Sequence, residues 1–202
     1  MKTSRWLLAA AVVAGVSLPL RAADIGNPSA VNLKILAAWV SPNAGCTDPV
    51  QIFSNPSGTY KDMMAHPTFG AGTIANGTYP CVIFKLSDAI KTTSAYNSTS
   101  GHCVAGTEYV QDIFRSPETS SCPDGTSVSG TTNALGAEQT PCVYFRVGGT
   151  GGGAFDPAHA IPITSAWTVA SDSDGTFVMD FTGKQVDSGV DCGVDPPVMS
   201  FR

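Results

Sequence analysis

The sequence predicts an all-β sandwich or barrel, and three observations support this fold class. Short runs of alternating apolar and polar residues are separated by turn residues, and no long run repeats with a helical period. Glycine (21) and proline (14) make up about a sixth of the 202 residues, which favours turns over helices. Six cysteines lie between residues 46 and 192, and an even number of cysteines in a chain built for export predicts disulfide bridges.

The first 22 residues have the layout of a secretory signal peptide. Lys2 and Arg5 give a positive start, residues 6–20 form an apolar run, and Ala22 precedes the expected cleavage site. The apolar run is shorter than the roughly 20 residues that a transmembrane helix needs. We therefore expect a leader at residues 1–22, a mature domain at residues 23–202, and a periplasmic, cell-surface or secreted location.

The charge of the mature chain restricts its partners. Removing Lys2, Arg5 and Arg21 with the leader leaves 8 of the 11 basic residues against 16 acidic residues, a net charge of about −8. A polyanion is repelled by such a chain, so nucleic acid is not expected as a partner. No later apolar stretch is long enough to cross a bilayer, so no membrane span is expected either.

All six cysteines are expected to pair, giving one domain stapled by three disulfides. A metal site is the weaker interpretation, because the chain has no Cys-x-x-Cys and only His102 lies beside a cysteine. Six cysteines allow 15 connectivities. Nearness in sequence favours Cys46–Cys81, Cys103–Cys122 and Cys142–Cys192.

Five segments read as strands from their composition. The first, residues 31–40, has apolar residues alternating with Asn32 and Lys34, which predicts one buried and one wet face. Residues 62–65 fit either an extended stretch or a short turn. The remaining predicted strands are residues 50–53, 78–86, 142–147 and 198–201.

A hairpin is expected around Asp172-Ser173-Asp174-Gly175, because Asp-Gly between alternating apolar residues is a strong hairpin signal. The same four residues resemble the start of a calcium loop. Position 12 of such a loop, counted from Asp172, is Gly183 rather than the required Glu, which favours the turn. The flanking residues expected to face one core are Trp167, Val169, Phe177, Met179 and Phe181.

Residues 87–140 are interpreted as a long loop insertion in which one or two short strands are expected. Serine, threonine and glycine dominate this segment, and a structureless loop of such length is unusual in a compact domain. Recognition usually lies on loops held by a rigid scaffold, so the insertion is the expected partner surface.

One pattern occurs twice in the chain. Residues 80–86 (Pro-Cys-Val-Ile-Phe-Lys-Leu) match residues 141–147 (Pro-Cys-Val-Tyr-Phe-Arg-Val) almost position by position. Two copies indicate a duplication, two strands in equivalent places of the sandwich, or a coincidence of pattern.

Two segments carry a resemblance to a known class of domain. Both are similar to segments of bacterial exported β-sandwich domains of unknown function. The first is Gly77-Thr78-Tyr79, the apolar strand that follows it, and Ser87-Asp88. The second consists of the closing residues 177–181 and Pro196-Pro197-Val198. Gly-x-Tyr strands also occur in transthyretin-like sandwiches. The resemblance implies a Greek-key sandwich outside the cytoplasm, and it implies no catalytic residues.

The sequence shows no catalytic constellation, and we expect no metal or other cofactor. An irregular calcium site stays open as an alternative, formed by Asp156 or by Asp187, Asp191 and Asp195. His66, His102 and His159 lie in separate polar loops, no Gly-x-Ser-x-Gly is present, and Cys103 is expected to be oxidised and therefore not nucleophilic. The glycine run at residues 148–153 lacks the lysine of a phosphate loop.

Aromatic residues give the only candidate contacts for a ligand. Tyr96 and Tyr109 lie in the insertion and are predicted to contact a ligand or partner. Core packing is expected for the aromatic residues in or beside strands, which are Trp39, Tyr79, Tyr144 and Trp167.

These observations predict a non-enzymatic binding or structural module with a protein or glycan partner. The alternatives are a carbohydrate-binding protein that uses exposed aromatic residues, and a secreted hydrolase without a recognisable motif.

Overall fold

The computed structural model describes residues 24–67, 74–131, 138–170 and 177–201, and this part of the chain is all-β. Its single helical element is a 3-10 turn at Met63–Ala65, so the segment 62–65 is a short turn that follows Asp62, the last residue of a strand. The described residues include no helix that is long and apolar enough to cross a membrane. The strands are β1 (Asp24–Gly26), β2 (Pro28–Leu33), β3 (Ile35–Ser41), β4 (Val50–Ser54), β5 (Lys61–Asp62), β6 (Gly77–Tyr79), β7 (Cys81–Leu86), β8 (Ala89–Ser94), β9 (Glu108–Asp112), β10 (Thr119–Ser121), β11 (Ser127–Ser129), β12 (Cys142–Val147), β13 (Ile161–Ile163), β14 (Trp167–Val169), β15 (Phe177–Asp180), β16 (Gln185–Asp187), β17 (Cys192–Val194) and β18 (Val198–Phe201).

A five-stranded sheet in the order β13-β12-β7-β3-β4 is the largest unit. Its pairs are antiparallel except β12 with β13, which run parallel. The two strands that share the repeated pattern, β7 and β12, are direct neighbours here, with Ile83 opposite Tyr144. The repeated apolar pattern therefore places two similar strands at the centre of one sheet, where both faces are buried.

A four-stranded sheet in the order β5-β2-β8-β9 shares a hydrophobic core with the five-stranded sheet. Val31 and Leu33 of β2 belong to the same buried cluster as Phe84 of β7 and Phe145 of β12. The rings of Phe84 and Phe145 meet edge to face, with centroids 5.8 Å apart. Burying each such side chain contributes about 1.5–3 kcal/mol, so this shared core explains the sandwich-like arrangement.

The opposite face of the five-stranded sheet is buried by a second cluster. Trp39, Ile83 and Tyr144 lie in one row across β3, β7 and β12. The bridges Cys46–Cys81 and Cys122–Cys142 belong to the same cluster and tie the covering loops to the sheet. Core packing is confirmed for Trp39, Tyr79 and Tyr144, while Trp167 is half-buried beside Tyr79, with 6.2 Å between their ring centroids.

All six cysteines form disulfides, but two of the three expected pairings are wrong. Cys46 bonds Cys81 as expected, while the other bridges are Cys103–Cys192 and Cys122–Cys142. Nearness in sequence fails because the chain returns late: β17, which carries Cys192, packs beside β9 and so reaches the loop that holds Cys103. Cys142 instead lies against the hairpin of β10 and β11, where the Ser120 hydroxyl group bonds the Cys142 backbone.

The hairpin expected around Asp172 is wrong in its pairing. Strand β14 pairs with β6, and β15 pairs with β18, so the two expected partners do not pair with each other. Val169 and Phe181 are buried in the shared core, as predicted, and Trp167 and Met179 are half-buried against it. The turn residues themselves lie outside the described residues, and so does the predicted burial of the Phe177 side chain.

Two boundaries also differ from expectation. The strand expected at residues 31–40 divides at Lys34 into β2 and β3, which belong to different sheets. The strand expected at residues 78–86 divides at Pro80, whose ring nitrogen has no hydrogen to donate to a ladder. Pro80 is thus a sequence signal for the second break, whereas at Lys34 the alternating pattern passes from one sheet to another without one.

The described residues of the segment 87–140 form four strands rather than the expected one or two. Strand β8 pairs with β2 on one side and β9 on the other, so it lies inside the four-stranded sheet. Its sequence, Ala-Ile-Lys-Thr-Thr-Ser, is polar even at its most buried positions, Thr92 and Ser94, and this hides the strand in the sequence. That the segment is an insertion relative to other sandwiches stays a prediction.

Candidate functional site

The loop of residues 95–107, which joins β8 to β9, carries the candidate site, and Tyr96 and Tyr109 lie at its two ends. The Tyr96 hydroxyl group donates to the carbonyl oxygen of Asp24 at 3.0 Å. Its ring lies so close to Gly26 that a Cβ there would be 2.2 Å from Cε1, so only glycine fits. The Tyr109 hydroxyl oxygen accepts the N–H of Val104 at 2.7 Å. Both rings are half-buried and hold the loop in place.

A buried carboxylate, Asp187 at the end of β16, anchors the middle of this loop. Its side chain has no exposed surface. Oδ2 accepts hydrogen bonds from the hydroxyl groups of Ser98 and Ser100, and from the backbone N–H groups of His102 (3.2 Å) and Cys103 (3.4 Å). Oδ1 accepts the N–H of Gly189 at 2.7 Å. The carboxylate thus gathers five donors, four of them from the loop.

These donors keep Asp187 ionised although it is buried. Burial acts to raise the pKa of the carboxyl group, but the hydrogen bonds from Ser100, Ser98, Gly189 and Cys103 outweigh it and hold the pKa well below its usual range. A buried negative charge of this kind is stable only while its donors stay in place, so the loop and the carboxylate depend on each other.

Further contacts fix the rest of the loop. Cys103 is bonded to Cys192 of β17, with 5.0 Å between their Cα atoms. The N–H of Thr99 donates to Oδ2 of Asp24 at 2.6 Å, and the N–H of Ala105 donates to Oδ1 of Asn97 at 2.9 Å. Most side chains of the loop nevertheless remain exposed to solvent.

His102 lies beside Asp187, but the arrangement differs from a hydrolytic triad. Nδ1 of His102 is 3.3 Å from Oδ1 of Asp187, and about a third of the histidine side chain is exposed. In a Ser-His-Asp triad the imidazole stands between the hydroxyl and the carboxylate. Here the carboxylate stands between the imidazole and the hydroxyl groups of Ser98 and Ser100, so those hydroxyl groups bind the carboxylate.

The other two histidines lie apart from this loop. His159 is exposed, and its Nδ1 lies 2.8 Å from Oδ2 of Asp156. The other carboxylate oxygen of Asp156, Oδ1, accepts the N–H of Ala158. His66 is exposed and ends the 3-10 turn in the left-handed conformation. Within the described ranges, no group of three or more His, Cys, Asp and Glu side chains is placed to hold a metal ion.

Sequence reasoning singled out Tyr96, Tyr109 and Cys103, and it considered Asp187 only as a ligand of an irregular calcium site. A ligand or partner contact of the two tyrosines stays a prediction. Asp187 is 84–89 residues away from the loop groups that it binds, so no local pattern connects them. The only local hint is that Asp187 directly precedes the turn residues Ser188-Gly189. Aspartate is common at such positions because its side chain can accept hydrogen bonds from the backbone of the turn.

The chain matches no protein-family model, and no curated protein and no solved structure is significantly similar to it.

Proposed function

We propose that the protein is an exported, non-enzymatic binding or structural module of the periplasm or cell surface, with the loop of residues 95–107 as its partner-facing surface. The observation that carries the proposal is that this loop is largely exposed, yet Cys192 and Asp187 fix it in one conformation. A preordered loop loses little conformational entropy on binding, and this is the usual arrangement of recognition loops on a rigid scaffold.

Export is supported by the oxidised cysteines. The described part of the chain contains three disulfides and no free cysteine. Structural disulfides persist in the periplasm, at the cell surface and in the medium, and are rare in the cytosol. The signal peptide expected at residues 1–22 also predicts a location outside the cytoplasm.

Exposed aliphatic side chains lie next to the points that hold the loop. Val104 follows Cys103 and is 44% exposed, and Val190, two residues before Cys192, is 82% exposed. Ile25, next to the Asp24 carboxylate that binds Thr99, is 66% exposed. We take these three side chains as the apolar contacts of the proposed partner-facing surface.

A protein partner is favoured over a glycan. Sugar-binding sandwiches stack rings of their ligands on exposed aromatic side chains, whereas no tyrosine or tryptophan among the described residues is largely exposed. The hydroxyl groups of Tyr96 and Tyr109 are bonded to the backbone of the protein itself.

A non-enzymatic role is supported by how the reactive groups near the loop are used. The hydroxyl groups of Ser98 and Ser100 bind Asp187 rather than an imidazole, and Cys103 is oxidised. Turnover would require these groups to leave contacts that hold the loop.

A photo-crosslinking residue at Ala105 tests the proposal directly. We expect it to capture a specific protein in the exported fraction, whereas the same residue at Ser57, an exposed position after β4, captures none. Binding of the purified partner is then measured with the double variant Val104→Ser, Val190→Ser. Loss of the two apolar contacts should weaken binding by at least about tenfold.

The matched control replaces Val50 of β4 and Val198 of β18, which are also exposed, with serine. This variant should bind as the original protein does. Equal weakening in both variants, or capture from Ser57 alone, contradicts the assignment of the surface. Steady hydrolysis of an ester, peptide or glycoside that is lost in His102→Ala contradicts the non-enzymatic role.

A further inference from the structure

Strand β1, with which the described part of the chain begins, holds the first half of the partner-facing loop. The carbonyl oxygen of Asp24 accepts a hydrogen bond from the hydroxyl group of Tyr96 at 3.0 Å, and its carboxylate accepts the N–H of Thr99 at 2.6 Å. Directly after β1, the carbonyl oxygen of Asn27 accepts the N–H of Ala95 at 3.2 Å. These contacts join β1 and the residue after it to three positions of the loop.

The pairing of β1 also brings it to the buried carboxylate that holds the middle of the loop. In the antiparallel pair of β1 and β16, Asp24 lies opposite Asp187. The ring of Tyr96 lies so close to Gly26 that a Cβ there would be 2.2 Å from Cε1. The loop is therefore ordered by both strands, and β1 is the one at the edge of the sheet.

Apart from these contacts, β1 is weakly held. It has three residues, and β16 is its only neighbour in a sheet among the described strands. None of its residues belongs to either hydrophobic cluster, and Ile25 is 66% exposed. A short edge strand outside the core can open while the rest of the domain stays folded, so β1 can move as a unit.

The expected cleavage site lies immediately before this strand. Ala23, the first residue after the bond that is cleaved, is followed directly by Asp24. A peptidase cleaves backbone that is exposed and free of hydrogen bonds, so the residues that flank the bond must be released from the β1–β16 ladder during cleavage. Strand β1 must therefore be open while the leader is being removed.

The leader also restrains β1 before cleavage. The apolar run of residues 6–20 keeps the unprocessed chain at the membrane, because its aliphatic side chains favour the bilayer. The three residues 21–23 reach at most about 11 Å when fully extended. The headgroup layer takes up about 5–8 Å of that reach. Closing β1 in the unprocessed chain would therefore bring the loop against the membrane surface, where a partner has no room.

We propose that β1 closes over the partner-facing loop only after the leader has been removed, so that processing completes the partner-facing surface. Strand β1 thereby regulates the surface of the proposed function, on which this inference rests. In the unprocessed chain the loop is still tied by Asp187 and by the Cys103–Cys192 bridge, but it lacks the contacts of β1. A partner meets a fully ordered surface only on processed protein.

Hydrogen exchange and mass spectrometry compare the order of the loop in unprocessed and processed protein. Ala22→Leu blocks cleavage, because the cleavage site requires small residues, and the leader holds this chain in phosphatidylcholine vesicles. The amides of residues 95–99 should exchange at least about tenfold faster than in processed protein, a factor that the loss of one hydrogen bond to a charged group accounts for. The amides of β7 and β12 should be equally protected in both proteins.

A spacer variant and two variants of the processed protein are the matched controls. Ten Gly and Ser residues inserted after position 22 of the uncleaved chain add about 16–19 Å of average reach and should restore protection of the loop. In processed protein, Asp24→Ala should accelerate exchange at residues 95–99. Ile25→Ser changes an exposed side chain of the same strand and should leave these amides protected.

Equal protection of residues 95–99 in unprocessed and processed protein overturns the proposal. A spacer variant that exchanges as fast as the unprocessed chain also overturns it, as does loss of protection in β7 and β12, which would show that the leader acts on the whole domain. These measurements need no partner. Photo-crosslinking from Ser57 alone would therefore refute the proposed function and leave the closing of β1 intact.

Discussion

Replacing Cys103 and Cys192 with alanine should destabilise the protein more than removing either of the other two bridges. This bridge joins residues 89 apart, so its loss frees the largest loop in the unfolded chain and costs about 4–5 kcal/mol. The same relation gives about 4 kcal/mol for Cys46–Cys81, with a separation of 35, and about 3 kcal/mol for Cys122–Cys142, with a separation of 20. The melting temperature should fall by about 10–15 °C.

The three double alanine variants are compared by guanidinium unfolding under identical conditions. The Cys103–Cys192 variant should also lose hydrogen-exchange protection in the loop of residues 95–107, because the bridge holds that loop to β17. The Cys122–Cys142 variant is the matched control, since its bridge lies at the hairpin of β10 and β11. A larger loss of stability in the control would contradict the importance of the long bridge.

Asp187→Asn should release the partner-facing loop even with the disulfide intact. The asparagine amide group is itself a donor, so it would face the hydroxyl groups of Ser98 and Ser100 and the nearby backbone N–H groups without an acceptor for all of them. We expect exchange of the backbone amides at residues 98–103 to accelerate by at least about tenfold, measured by hydrogen exchange and mass spectrometry. Asp191→Asn, in the turn after β16, should leave these amides protected.

The same variant should remove a defined part of the pH dependence of stability. Because the pKa of Asp187 is lowered by folding, its contribution is fully present above the pKa of an unfolded aspartate, about 3.9, and declines as the pH falls below that value. The original protein should therefore lose loop protection only in acid, and Asp187→Asn should be insensitive over the same range. An unchanged acid response in Asp187→Asn would contradict the role of this carboxylate.

The fold class follows from the sequence because alternation and turn residues are local properties. Residues 50–53 and 142–147 become β4 and β12 with nearly the expected bounds, because short runs rich in β-branched and aromatic residues between turn residues favour strands. Pairing is not local. Strand β14 is separated from β15 by a strong turn signal, yet β14 pairs with β6 and β15 pairs with β18.

The candidate site was less accessible to sequence reasoning, for a physical reason. Tyr96 and Cys103 stand out by residue type, whereas Asp187 looks like any aspartate before a turn. Its importance arises only when β16 is placed beside the loop and the buried carboxylate must find donors. The pairing of Cys103 with Cys192 was inaccessible for the same reason, since it depends on where β17 lies.

A disulfide map of the exported protein tests the central claim, that an exported sandwich is stapled so as to hold one exposed loop rigid. Proteolysis without reduction, followed by mass spectrometry, should give the linked pairs Cys46–Cys81, Cys103–Cys192 and Cys122–Cys142, with an N-terminus near Ala23. A free thiol at Cys103 or Cys192, or exported protein that still begins at Met1, would contradict the account.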